Sequence, residues 1–319
     1  MNKKIITALV ALTLALPITA NAAPKVNLKS TSVTAPTIAI LDTAIDMSQT
    51  KFQNSVVQEV CLIEIFFDST ARCPNGLTSM EGPGAATLPK DKLALGGFDH
   101  GTLMADQALQ TNPNVKIVFI RIIGQRQNGA REYTNEATVY NALQWVINNQ
   151  SRFNIQSVAM AQGSHSLGAA GTDYCPKTPT TVEKVKSLNA LGVGVFFPAG
   201  NNSDYVRVDW PSCIPETISM GATMPAGSIA FYSNYDSKLI DFYAQGTTIL
   251  YGLDAKKTNF AGSSASVLVG ATSWATIKSV KPNLTYTQLY DLISRTSILT
   301  TSSKINNGKL ISIEKAING

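Results

Sequence analysis

The feature that most constrains the fold of this chain is an alternation. Short apolar, β-branched runs at 37–41, 115–123, 157–161, 193–197 and 218–221 are separated by stretches with helical spacing. Runs of that length and content suit strands buried on both faces. Ala137, Tyr140, Leu143 and Val146 recur every third residue, as do Val182, Val185 and Leu188 ahead of Gly192, which predicts two helices. Strands alternating with helices predict an α/β fold with a mainly parallel sheet. Ligands of such sheets gather at the carboxyl ends of the strands, so the residues that follow each apolar run are where chemistry is expected.

The start of the chain reads as an export signal. Asn2-Lys3-Lys4 precedes an apolar run over 5–16, and Ala20-Asn21-Ala22 supplies a small-residue cleavage site. Residues 23–36, polar and bounded by Pro24 and Pro36, read as a short arm ahead of one domain over 37–319. No apolar run reaches the roughly 20 residues of a membrane span, so an exported protein of periplasm or medium is expected. Removing residues 1–22 takes two lysines and no acid, moving the formal charge from +5 to +3. The basic residues are scattered without aromatic interleaving, which excludes a nucleic-acid surface. A hydrophobic content of 44% over this length supports one large core.

Cys61, Cys73, Cys175 and Cys213 form an even set, so disulfides are expected from the compartment, with three connectivities open. Cys61–Cys73 and Cys175–Cys213 are favoured. The first closes a short loop inside an apparent insertion, and the second joins loops on either side of the segment around Asn201. Metal ligation is the rival reading, but there is no Cys-x-x-Cys spacing and the chain has 2 histidines.

Four stretches carry chemistry when taken together: Asp42 in Ala39-Ile40-Leu41-Asp42-Thr43, His100 in His100-Gly101-Thr102, Asn201 in Pro198-Ala199-Gly200-Asn201, and Ser264 in Gly262-Ser263-Ser264-Ala265. A serine hydroxyl needs a histidine to take its proton, and the histidine needs a carboxylate to hold its tautomer. Ser264 precedes a run of small and apolar residues suited to a buried helix, whose positive end favours developing negative charge. Each residue alone has a bland reading as a strand cap, a structural histidine or a small-residue loop. The order Asp, His, Ser, with these surroundings, resembles the subtilisin-type serine peptidases.

The resemblance extends to 210–222, which is similar to the family's segment after its asparagine, to the region 228–235, to 239–250, and to 282–285 with the C-terminal helix through Leu289, Leu292 and Ile293. It implies a three-layer subtilisin-like fold and an exported endopeptidase acting on polypeptides through an acyl-enzyme. Asp42, His100 and Ser264 would be the triad and Asn201 the oxyanion donor. Ala161, Gln162 and Gly163, with Pro198, Ala199 and Gly200, would line the substrate pocket. The methionine and proline after the family's nucleophile are missing here, Ala44 stands where its Asp-Thr-Gly has glycine, and Ala161-Gln162-Gly163 replaces Ser-Leu-Gly. The departures around Ser264 motivate one alternative, a weakly active peptide-binding pseudo-peptidase; a second is an acyl hydrolase acting on esters, since the same triad cleaves them. No cofactor is required. Structural calcium stays open because the family often holds it, although no loop of alternating Asp/Asn ligands is present.

The stretch between Asp42 and His100 is long, and its parts over 61–73 and 75–89 read as an elaborated surface loop, either a wall of the substrate groove or a neutral insertion. His165 reads as a loop histidine, and Asp99 as a neighbour of His100 that points elsewhere. Only about a dozen residues separate Ala22 from the first strand, too few for an inhibitor domain. The chain is therefore expected to fold unaided once oxidised, with restraint by a separate inhibitor or chaperone, or by its insertion loop, left open, and a monomer is the expected state.

Overall fold

The computed structural model describes residues 35–64, 72–126, 128–132, 134–170, 175, 178–235, 238–302 and 307–319. The expected signal segment and all but the last two residues of the expected arm lie outside the described residues. In chain order the elements are β1 (Thr37–Asp42), α1 (Thr50–Ser55), β2 (Val56–Leu62), β3 (Ser79–Glu81), α2 (Lys90–Leu93), α3 (His100–Thr111), β4 (Lys116–Arg121), α4 (Glu136–Phe153) and β5 (Ile155–Met160). There follow β6 (Ser164–Ala170), α5 (Pro179–Ala190), β7 (Gly194–Pro198), β8 (Arg207–Trp210), β9 (Ile218–Thr223), β10 (Phe242–Gln245), β11 (Thr247–Tyr251) and β12 (Lys257–Ala261). The chain closes with α6 (Ser263–Val280), α7 (Tyr286–Thr296), β13 (Ile298–Thr300), β14 (Gly308–Leu310) and α8 (Ile313–Asn318).

Ten strands form the central sheet in the order β13-β14-β10-β9-β7-β5-β1-β4-β2-β3. From β14 to β2 every neighbour is parallel, and the edge strands β13 and β3 run antiparallel. The expected α/β architecture is therefore present, and its period-2 alternation sorts the two faces. Ile38 and Ile40 point into the cluster with α3 and α6, whereas Ala39 and Leu41 point into the one with α4 and α5. Asp42 continues the first series, which aims it at the α3 side.

Helix α6 lies along the sheet and is buried over almost its whole length, as its all-round small and apolar sequence requires. The Ser157 hydroxyl of β5 donates to Ala271 O at 2.7 Å, and Asn112 after α3 donates to Thr276 at 2.9 Å. These bonds hold the helix against both elements.

Three expectations need correction. Cys61 and Leu62, which end the strand Val56–Leu62, and Ser79–Glu81, all read within the surface loop, belong to the sheet. Glu59 interrupts the apolar pattern of β2, yet it is buried because Gly84 N and Ala86 N donate to its carboxylate. The buried face of α4 is Thr138, Val139, Ala142, Leu143, Trp145 and Val146, with Ala137 exposed, since a three-residue spacing drifts off a 3.6-residue turn. Thirdly, His165 belongs to β6 rather than to a loop. Both favoured disulfides, Cys61–Cys73 and Cys175–Cys213, are formed.

Candidate active site

The chain passes from β1 to β2 and β4 on one side and later to β5, β7 and β9 on the other, so β1 marks the switch in strand order. A crevice at the carboxyl ends of the strands is expected there. Asp42 ends β1, residues 161–163 leave β5 and residues 199–201 leave β7, so three of the predicted segments meet at one edge.

The Asp42 carboxylate is fully buried, and His100 Nδ1 lies 2.8 Å from its Oδ1. Neighbouring residues fix that pair. The Thr43 hydroxyl accepts from Gly101 N at 2.9 Å and donates to Phe98 O at 2.8 Å, while Thr102 accepts from Asp46 N at 3.0 Å. The end of β1 and the start of α3 are thereby joined, and a Cβ at Gly101 would sit 2.5 Å from Ala44 O. With Nδ1 engaged, Nε2 is the ring nitrogen left to act as a base. Asp99 makes no side-chain cap to α3, and it is Asp42 that pairs with His100. The Phe260 ring leans on the imidazole with centroids 5.8 Å apart.

Ser264 is the second residue of α6, and its hydroxyl donates to Ala161 O at 3.0 Å rather than bonding His100. Asn201 reaches the same helix end: its Oδ1 accepts from Ser263 N at 2.7 Å, which leaves Nδ2 as its donor. The first N–H groups of a helix have no partner inside it, so Ser264 N is a second donor at this point.

The loop carrying Asn201 is braced by Asp209, which the sequence did not single out, and by Asn234 and His165, to which it gave no part in this support. Asp209 N and Asn234 Nδ2 both donate to Ala199 O, at 2.8 and 3.0 Å, and Asn234 N donates to Gly200 O at 3.0 Å. Gly200 has φ +112°, and a Cβ there would lie 2.3 Å from Asn234 Nδ2 and 2.4 Å from Asp209 Oδ1, so only glycine fits. His165 Nδ1 pairs with Asp209 Oδ1 at 2.9 Å and its Nε2 lies 3.6 Å from Asp204. Burial pushes the Asp209 carboxyl up, opposed by the hydrogen bonds from His165 and Asn234.

The predicted pocket residues divide. Ala161, Pro198, Ala199 and Gly200 are buried and Gly163 is exposed. Gln162 does not simply line a pocket: its Nε2 lies 3.1 Å from both Asp42 Oδ1 and His100 Nδ1. Arg121, opposite Asp42 in the β1–β4 register, is fully buried. Burial pushes its guanidinium down to about 10, and none of its nitrogens has a hydrogen-bond partner among the described residues. Among those residues, no three His, Cys, Asp or Glu side chains converge as a metal site needs, and no helix is long and apolar enough to cross a membrane.

The family model described as the subtilase family, peptidase S8, matches residues 34–312. An extracellular basic protease of Dichelobacter nodosus is 28% identical over 144 residues, covering 41% of this chain and 23% of that protein. A cuticle-degrading serine protease of Arthrobotrys oligospora is 23% identical over 218 residues, covering 67% and 44%. The matches thus span less than half the length of these relatives. A solved protease from Pseudoalteromonas arctica superposes with TM-score 0.69 at 18% identity, covering 89% of each chain, which shows the shared fold.

Proposed function

The chain belongs to the subtilase family, and from that premise we propose that it is an exported serine endopeptidase, acting in periplasm or medium on polypeptide substrates. One observation carries the reading. A buried carboxylate 2.8 Å from His100 Nδ1 stands at the same strand edge as Ser264 and Asn201, which share one helix terminus. In this mechanism Ser264 Oγ attacks the scissile carbonyl carbon while His100 Nε2 takes the hydroxyl proton and Asp42 stabilises the imidazolium. Asn201 Nδ2 and Ser264 N donate to the oxyanion. The carbon–nitrogen bond then breaks as His100 returns its proton to the leaving amine, and water releases the acyl group by the same steps. No cofactor is needed. The names of the extracellular and serine-protease relatives support export and activity.

To begin, the Ser264 hydroxyl must exchange Ala161 O for His100, a tightening that catalytic hydrogen bonds often undergo only with substrate bound. That same bond to Ala161 favours the second reading, a peptide binder with little turnover. Hydrolysis of casein separates the two. The proposal expects turnover that falls on acidification, since a protonated base cannot accept another proton. Peptide binding without cleavage, or a rate flat from pH 5 to 8, would overturn it.

A further inference from the structure

Asp42 Oδ1 is crowded. It accepts from Thr43 N at 2.7 Å and His100 Nδ1 at 2.8 Å, and Gln162 Nε2 approaches at 3.1 Å. The buried Oδ2 has no hydrogen-bond partner among the described residues. A carboxylate oxygen offers about two lone-pair directions, so three donors on one oxygen compete. Gln162 is delivered to this place by the sheet: Met160 of β5 lies opposite Leu41 of β1, and two residues later the chain stands beside Asp42.

We propose that Gln162 is a positioning residue that competes with His100 for Asp42 Oδ1 and so weakens the hold of Asp42 on the protonated imidazole. This rests on the peptidase reading for its catalytic consequence, though not for its geometry. A hydrogen bond donated to a carboxylate draws off part of the charge that would otherwise stabilise the imidazolium. The second contact acts in the same direction. When Nδ1 carries its proton, Gln162 Nε2 at 3.1 Å faces a fellow donor, and that approach is least favourable when the ring is charged. Were the imidazole to take the other tautomer, the amide could donate to Nδ1 instead, but Nε2 would then hold the proton and could not accept one from Ser264. Gln162 therefore favours a neutral His100, with the competition for Asp42 deciding its tautomer.

The other ionisable groups on the elements around the pair are accounted for. Arg121 stands at the same register of β4, and Asp99 precedes α3. Asp46 accepts from Ser48, Gln49 and Asp254 N, and Asp106 along α3 pairs with Lys51 and accepts from Tyr251 N of β11. From α6 the side chains nearest its start are Ser263, Ser264 and Ser266, and its basic residue Lys278 lies in the last turn. None of these partnerships involves Gln162, so replacing it leaves them in place.

The test compares Gln162 with Gln162→Met, which keeps the length and removes both donors, and with Gln162→Ala as a second variant should Met pack poorly. Proton uptake by His100 is followed by nitrogen NMR in the Ser264→Ala protein, where His165 serves as an internal reference and no activity is required. The proposal expects His100 to take its proton at a pH higher by about half a unit to one unit in Gln162→Met, with His165 unmoved. In the Ser264 protein the acid limb of kcat/KM should move by the same amount. An unchanged His100 profile in a folded variant, or a shift to lower pH, overturns the role of Gln162. If the NMR shift occurs while the Ser264 protein hydrolyses nothing, it is the peptidase reading that fails and the positioning role that stands.

Discussion

Replacing Arg121 by methionine should stabilise the protein. Burial lowers its guanidinium to about 10, with no opposing cause, and no protein group among the described residues hydrogen-bonds its nitrogens. For a base, a lowered folded value means that the charged form is disfavoured in the native state. The penalty is full below about pH 10 and fades as pH rises from there towards the ordinary arginine range. At pH 7 that drop corresponds to about 3 kcal/mol, since each unit is about 1.4 kcal/mol. Methionine fills much of the space of the arginine stem without a charge, so packing returns part of the difference and a net gain of about 1–3 kcal/mol is expected. The assay is urea unfolding at pH 7 with the disulfides intact, in a Ser264→Ala background that prevents self-digestion. A higher midpoint at unchanged slope is the expected result. Destabilisation by more than about 1 kcal/mol would refute the reasoning, because it would mean that the buried guanidinium has a compensating partner.

Two further outcomes follow from the site and its supports. Asn201→Ala should lower kcat by a hundred- to a thousandfold, with KM moving far less, because its amide is used chiefly in the transition state; steady-state kinetics on a peptide substrate would show the split. Burial alone would raise the Asp46 carboxyl, but hydrogen bonds from Ser48, Gln49 and Asp254 hold it below 3.8, so its contribution is present above that pH and is lost as pH falls through the lowered folded value. Asp46→Asn should therefore cost about 1–2 kcal/mol at pH 7 and progressively less in acid, read from urea midpoints across pH.

The parallel sheet was legible because strands covered on both faces read as near-continuous apolar runs, and those that became β1, β4, β5, β7 and β9 are mostly apolar, with polar exceptions such as Arg121, Ser157 and Ser219. β2 was not, because Gln58 and Glu59 break its run, and the N–H groups that make a buried Glu59 tolerable come from Gly84 and Ala86, some 25 residues on. The spacing that marked α4 found the helix and part of its buried face, Leu143 and Val146, but missed Thr138 and Trp145. At the site, Asp42 and His100 were legible from local motifs at a strand end and a helix start. The brace around Gly200 was not, since His165, Asp209 and Asn234 come together only through β6, β8 and the turn near 234. Gln162 sits at a position whose backbone role the family resemblance suggested, while the direction of its side chain depends on the β1–β5 pairing.

The central claim is that Ser264 is an activated nucleophile. The most direct measurement is treatment of the protein with a fluorophosphonate, followed by peptide mapping of the adduct. The account predicts a single modified residue, Ser264, with labelling lost in Ser264→Ala and retained in Ser263→Ala, whose own hydroxyl only accepts from Gly200 N and sits in the helix start. Labelling that survives in Ser264→Ala, or that disappears in Ser263→Ala alone, would contradict it.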